Sequence, residues 1–313
     1  MENLSETAFA YFLLTPALLL LLLIAIYPLV STFGMSLFAD AISGSASLGE
    51  FVGIQNYVEL LTNQKSYALP APFMPTSLSV GGIVSSALGV TLIFTVASVF
   101  FETIIGFAQA LVLDQEFRGR RWIRVAIIIP WAVPIVIQGM IFFLLFQPGI
   151  GFLVGTTQNP SFLNQLGIIG TTPLVNTIDS LIIITVADVW KTTAFMALLI
   201  LAGMQSIDRS LYDVARVSGA SPWQQFKMIT FPLILPTILV AMLFRTIAAM
   251  RVYGIIETTT GCQTVPSLSC LVVSSFSSRA YGTAATVAFV TAAIIGIVVS
   301  VYIVKFADAE GGF

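Results

Sequence analysis

The chain has 313 residues, of which 57% are hydrophobic and only 9% charged, and its mean hydropathy is +0.98. Soluble domains carry roughly 25% charged residues, so this composition excludes an ordinary water-soluble globule and implies a polytopic membrane protein. The net charge of −2 points to no nucleic-acid partner, and a sequence without histidine lacks the commonest general base and the commonest metal ligand.

The N-terminal stretch MENLSETAFAYFLL carries Glu2 and Glu6 where a signal peptide would carry Lys or Arg, and its apolar run is long. It reads as a retained span. A crossing needs about 20 apolar residues, and six segments qualify: 8–33, 90–113, 123–146, 179–203, 232–256 and 284–306. The expected fold is therefore an all-α integral membrane protein of six transmembrane helices, with residues 1–313 forming one transmembrane domain. Between the first two spans, GEFVGIQNYVELL sets Phe51, Ile54, Tyr57, Val58 and Leu61 at helical spacing. That is either a helix at the outer interface or one on the protein's own outer face. GIGFLVG, residues 149–155, is glycine-rich but lacks the strand and helix of a dinucleotide site, and reads as a turn.

Orientation follows from Lys and Arg in the loops. Arg118, Arg120, Arg121 and Arg124 follow the second span; Arg209, Arg216 and Lys227 follow the fourth; Lys305 lies in the tail. Only Lys65, Arg251 and Arg279 lie on the other side. The imbalance predicts that both termini and the second and fourth loops face the cytoplasm. Cys262 and Cys270 then fall outside it, in one loop, as either an intraloop disulfide or two separate thiols.

The loop over 207–231 is polar yet amphipathic. Asp208 can cap a first helix bearing Leu211, Val214 and Ala215; Gly219 suits a left-handed helix end; Ser221, Pro222 and Gln224 form a capping box for a second helix bearing Trp223, Phe226 and Ile229. Such a face either packs on its own bundle or fits a groove on a partner.

LYDVARVSGASPWQQFKMITFPLILP resembles the signature loop of the permease subunits of binding-protein-dependent ABC importers, through Gly219, Ala220, Phe226, Ile229, Pro232 and Pro236, with Asp213 standing for the family's Glu and Ala215 for its second Ala. VGIQNY, IIIPWAVPIVI, VWKTTAFMALLILAGMQSI and LFRTIAAMRVYG resemble segments of the permeases for maltose, trehalose and related sugars. The family's GGP after the fifth span is replaced here by Gly261–Cys262. The resemblance implies a type I ABC importer permease fold with a cytoplasmic coupling helix, in which Asp213, Ala215, Gly219, Ala220, Trp223, Phe226 and Ile229 meet an ATPase. It also implies a second permease subunit in a heterodimer, two ABC ATPase subunits that bind ATP and Mg, an extracytoplasmic sugar-binding protein, and a small saccharide as cargo.

Ionisable groups inside a span are expensive and usually functional. Glu102 and Arg245 lie at similar depth and are expected to pair. Asp188 and Lys191, three apart on one helical face, flank Trp190. They form either a self-satisfied pair or part of a sugar site. By position in the family, Asp188, Lys191, Thr192, Phe195, Ala248 and Arg251 lie near the cavity. The sequence holds no G-x-x-x-x-G-K-[ST], no catalytic triad and no metal cage, so the expectation is a transport subunit, not an enzyme, with no cofactor of its own. The alternatives are a secondary transporter, with Glu102 and Asp188 relaying protons, or a permease for a non-sugar solute.

Overall fold

The computed structural model describes residues 6–41, 48–65 and 69–310; Glu2 and the side chain of Lys305 lie outside the described residues. The described residues are mainly helical, and their only β pairing is an isolated bridge between Phe38 and Phe51. Among the described residues, five helices are long and apolar enough to cross a membrane: Phe9–Ser36, Ala87–Asp114, Thr177–Gln205, Pro222–Met250 and Tyr281–Val304. A sixth crossing is assembled from Arg120–Ala132 and Ile135–Phe146, which meet at 93°. We number these spans one to six in chain order.

The sequence pattern predicts a continuous third span; the structure breaks it at Val133–Pro134. A residue before proline is pushed out of the helical region by the ring's Cδ. Val133 is extended (φ −68°, ψ 127°) and Pro134 follows suit (ψ 141°), so two consecutive non-helical residues turn the chain.

Two other prolines are met differently. In the first and fifth spans a five-residue π-turn, Leu22–Ile26 and Phe226–Thr230, ends two residues before Pro28 and Pro232. The N–H groups of Tyr27 and Phe231 reach back five residues, to the carbonyls of Leu22 and Phe226. Proline has no N–H to donate and its ring crowds the carbonyl four residues back. Widening the preceding turn by one residue keeps the helix continuous past it. The fifth span therefore does not begin at 232. It runs unbroken from Pro222, so the second half of the 207–231 loop is the span's own first turns. It also ends earlier than the hydropathy suggests, at Met250, with Gly254–Thr259 a separate helix.

The chain divides into two compact units, Met1–Leu69 with Leu271–Thr291, and Pro70–Cys270 with Ala292–Phe313. In the first, the short helix Gln55–Leu61 hangs on the end of the first span: Asn56 donates to the carbonyls of Ser36 (2.8 Å) and Phe38 (2.7 Å), and the Tyr57 hydroxyl meets that of Ser36 at 2.6 Å. Asn56 and Leu60 face inward, while Phe51, Ile54, Val58 and Leu61 are exposed. Asp40 accepts from the N–H and hydroxyl of Thr283 at the start of the sixth span.

The second unit holds the core. The second and fourth spans pack closely because Gly106 leaves room: a Cβ there would stand 2.7 Å from Met196 Cβ and 3.1 Å from the Ala197 nitrogen. Two apolar clusters result. One joins Val90, Phe94, Phe142, Ile184, Ala187, Ala249 and Val252; the other joins Ala110, Leu113, Ile200, Met204, Ile234 and Ile238. Cys262 and Cys270 are bonded to each other within the first cluster.

Overpacking a tight interface costs about 1–3 kcal/mol. Gly106→Leu is expected to lower the thermal unfolding midpoint of the purified protein in detergent; an unchanged midpoint would show that these two spans do not depend on that close approach.

Candidate functional site

Between the two apolar clusters lies a charged layer contributed by three spans. Glu102, in the middle of the second span, is fully buried, and Arg245 of the fifth is 8% exposed. Arg245 Nε donates to Glu102 Oε2 at 2.5 Å and one Nη donates to Oε1 at 2.8 Å, a two-pronged pair. The same Nη reaches Asp188 Oδ2 of the fourth span at 2.9 Å. The Thr192 hydroxyl lies 2.6 Å from both Glu102 Oε1 and the Asp188 carbonyl, and its single proton serves one of them at a time.

Lys191 does not close the i, i+3 pair with Asp188 that the sequence suggests. Its Nζ donates to the Val133 carbonyl at 2.6 Å. Val133 stands where the third span breaks, and a broken helix leaves carbonyls without intrahelical donors. Gln138, just beyond the break and buried, donates from Nε2 to the Ala187 carbonyl at 2.5 Å. The break is thus held against the fourth span from both sides by two polar side chains. Its sequence signal, Ala-Val-Pro inside an apolar run, is visible; its partners are 49 and 58 residues away.

Of the other residues expected near a cavity, Phe195 is half-buried, and Ala248 and Arg251 are exposed at the end of the fifth span. Thr192 is turned inward onto the charged layer. Asp188, Lys191 and Phe195 share a partly open stripe of the fourth span, at spacings of three and four. A different stripe of that helix, with the second span and Val80 and Val84, lines an apolar groove of about 800 Å³ that Trp190 helps to wall.

The second candidate site is the 207–231 loop. Asp208 caps the helix Arg209–Val217 by accepting from the Ser210 N–H at 2.9 Å, which holds its carboxyl below the usual carboxylate range. Gly219, at φ +82°, ends that helix in the left-handed region, and Ala220 N–H closes back on the Ala215 carbonyl at 2.9 Å. Ser221 and Gln224 then form a reciprocal capping box with Pro222 at the first position.

The π-turn that follows decides which side chains point where. Phe226 turns into the bundle, edge-on to Phe107, and Ile229 packs on the second apolar cluster. The Tyr212 hydroxyl joins that of Thr230 at 2.8 Å. These contacts mount the loop. The outward face is Leu211, Val214, Val217, Trp223 and Met228, with Val217 91% and Trp223 69% exposed. Sequence reasoning grouped Trp223, Phe226 and Ile229 on one face; Trp223 and Phe226 do stack, ring centroids 5.3 Å apart, so Phe226 bridges the outward ring and the bundle, while Val217 and Met228 add to the exposed face. Asp213 pairs with Arg216 on the surface, and Arg209 reaches Asp114 at 3.3 Å.

Residues 102–309 match the model of the family described as binding-protein-dependent transport system inner membrane component. The chain is 35% identical over 259 residues to the trehalose/maltose transport system permease protein MalF of Thermococcus litoralis, covering 82% of this chain and 78% of that protein. It is 31% identical over 260 residues to the trehalose transport system permease protein SugA of Mycobacterium tuberculosis, covering 83% and 75%. Its backbone resembles a chain from the crystal structure of a bacterial ABC transporter involved in the import of the acidic polysaccharide alginate. The TM-score is 0.68 at 20% identity, over 96% of this chain and 95% of that one, which bears on the fold alone.

Removing one member of a buried ion pair costs about 3–5 kcal/mol, because the partner's charge stays buried. Arg245→Met should therefore cut yield and thermal midpoint sharply. The triple variant Glu102→Gln/Asp188→Asn/Arg245→Met, which removes every charge of the trio, should recover most of both. Equal loss in single and triple variants would show that the charges are not what the layer depends on.

Proposed function

This chain belongs to the binding-protein-dependent transport system inner membrane components, and from that premise we propose that it is one permease half of an ATP-driven importer for a small uncharged saccharide. The proposed assembly pairs it with a second permease, two cytoplasmic ATPase subunits that bind ATP and Mg, and an external sugar-binding protein. Both termini and the basic loops face the cytoplasm, by the excess of Arg and Lys on that side.

The observation that carries this reading is the continuity of the 207–231 segment with the fifth span. Val214, Val217, Trp223 and Met228 offer water an apolar face that a solitary membrane protein would hide, and the turn beneath them is the beginning of a transmembrane helix. A partner seated on that face and moved by ATP closure would push along the fifth span toward Arg245 and the charged layer. ATP binding that favours one arrangement of the ATPase pair then biases which way the pathway opens.

Trehalose and maltose, named for the two relatives, are uncharged, and that supports an uncharged cargo. Lys191 gives one of its three donors to the neutral Val133 carbonyl and keeps its charge. Glu102, Asp188 and Arg245 satisfy one another. A proton-relay transporter is disfavoured on the same ground, since both carboxylates it would use are clamped by Arg245.

Trp223→Asp, and Gly219→Leu at its positive φ, should leave the chain inserted but abolish sugar-stimulated ATPase activity of the reconstituted complex. Undiminished stimulation would refute the coupling role. Uptake of labelled trehalose should be competed by maltose and not by a glycerol phosphate; the reverse order would overturn the uncharged-saccharide assignment.

A further inference from the structure

In the second and fourth spans the hydroxyls of Thr103, Thr185 and Thr193 donate to the carbonyl four residues back, at 2.6, 2.7 and 2.5 Å. Thr95 and Ser98 of the second span do not. Both are buried, Thr95 at 5% exposure and Ser98 at none, and neither hydroxyl oxygen has a hydrogen-bond partner among the described residues. Buried polar groups without partners are rare and call for an explanation.

The surroundings say what would pair with them. Thr95, Ser98 and Glu102 stand three and four residues apart, hence on one face of the helix. Glu102 receives Arg245 and Thr192 on Oε1 and Arg245 again on Oε2. A carboxylate offers about four acceptor positions, so Oε2 has room for one more donor. Ser98, four residues before Glu102, and Ala249, four after Arg245, both lie one turn from the ion pair, on the side of the apolar cluster that holds Phe94 and Val252. A hydroxymethyl and a methyl group thus follow directly on a carboxylate and a guanidinium, and far less side-chain bulk joins the second and fifth spans there. The occupant must take protons from two hydroxyls and give one to Glu102. A cation would leave both hydroxyl protons unpaired and would lie beside the Arg245 guanidinium. An anion would lie against the carboxylate. Water both donates and accepts, and it carries no charge.

We propose that two internal waters complete this face of the second span. The first bridges Thr95 to Ser98, and the second bridges Ser98 to Glu102 Oε2. Neighbouring Cβ atoms on a helix face stand about 5–6 Å apart, a gap that two hydrogen bonds of about 2.8 Å through one water can span. The protons all run one way: Thr95 donates to the first water, that water to Ser98, Ser98 to the second water, and the second water to Glu102. The file extends the charged layer along the second span toward Thr91, whose hydroxyl accepts from the Leu268 N–H at 3.0 Å. It requires nothing of the cargo or of the ATPase subunits.

X-ray radiolysis of the purified protein, in its native assembly and in water enriched in heavy oxygen, tests this. Radicals formed on a bound water label the side chains beside it, whatever their exposure to bulk solvent. Phe94, 1% exposed and four residues before Ser98, should take up label faster than the comparably buried Phe73. Equal rates overturn the proposal, and this arm needs no substitution. Thr95→Val/Ser98→Ala should abolish the Phe94 label and leave exposed side chains labelled as before; a Phe94 label that survives would place its water elsewhere and overturn the proposal. Stability supplies a test of sign. Deleting an unpaired buried hydroxyl in favour of alanine, the better helix former, would raise the thermal midpoint of Ser98→Ala. Deleting one that serves two waters should lower it, since each water loses a partner. A raised or unchanged midpoint therefore overturns the proposal. So would a Phe94 label that appears in choline buffer and vanishes in sodium, which would assign these oxygens to a cation.

Discussion

One cation held between two carboxylates, in the middle of three apolar helices, sets the arrangement of the larger unit. Arg245 joins Glu102 and Asp188 at a depth where water is scarce, with an apolar cluster on either side. A charge left alone there is penalised heavily. One helical turn is 5.4 Å, so sliding the fifth span by a turn would pull the guanidinium clear of both carboxylates, and sliding the second or the fourth would break its contact with one of them. The second, fourth and fifth spans are therefore locked in register by electrostatics, and Gly106 lets two of them close to near contact.

Around that locked trio the chain places its irregular backbone. Proline causes each irregularity, but with different results. Before Pro28 and Pro232 the helix widens by one residue and continues; at Val133–Pro134 it breaks and turns. The break is tolerable in an apolar setting because Lys191 of the fourth span donates to the Val133 carbonyl, while Gln138, just beyond the break, ties the two spans by donating to the Ala187 carbonyl. Non-helical backbone at membrane depth persists only where protein groups satisfy it. One device keeps the fifth span continuous; at the break, polar side chains tie the third span to the fourth.

The same interactions pair three of the four mid-depth charges, while Lys191 keeps its own and donates to a neutral carbonyl. Ionisable side chains in such a chain are few, and here Glu102, Asp188, Lys191 and Arg245 are committed to one another or to backbone. The partly open stripe of the fourth span presents Asp188, Lys191 and the ring of Phe195, two ionisable groups and one aromatic surface.

The sequence by itself determined the elements whose causes are local. Runs of about 20 apolar residues mark the spans, the Asp208 and Ser221 caps and Gly219 mark the kinked loop, and equal depth singles out Glu102 and Arg245 as partners. Only the tertiary structure decided what depends on residues far apart in the chain. Asp188 and Lys191, adjacent on one helical face, are drawn to different partners because Arg245 and the Val133 carbonyl each offer a better fit than the i, i+3 contact. Phe226 stacks on Trp223 and also meets Phe107 edge-on, and Ile229 packs on the second apolar cluster, contacts that the second span, far off in sequence, supplies. Periodicity presumes an ideal helix and knows nothing of the neighbour across the interface; where a proline shifts the helical phase, or a distant donor outbids a near one, packing settles the outcome.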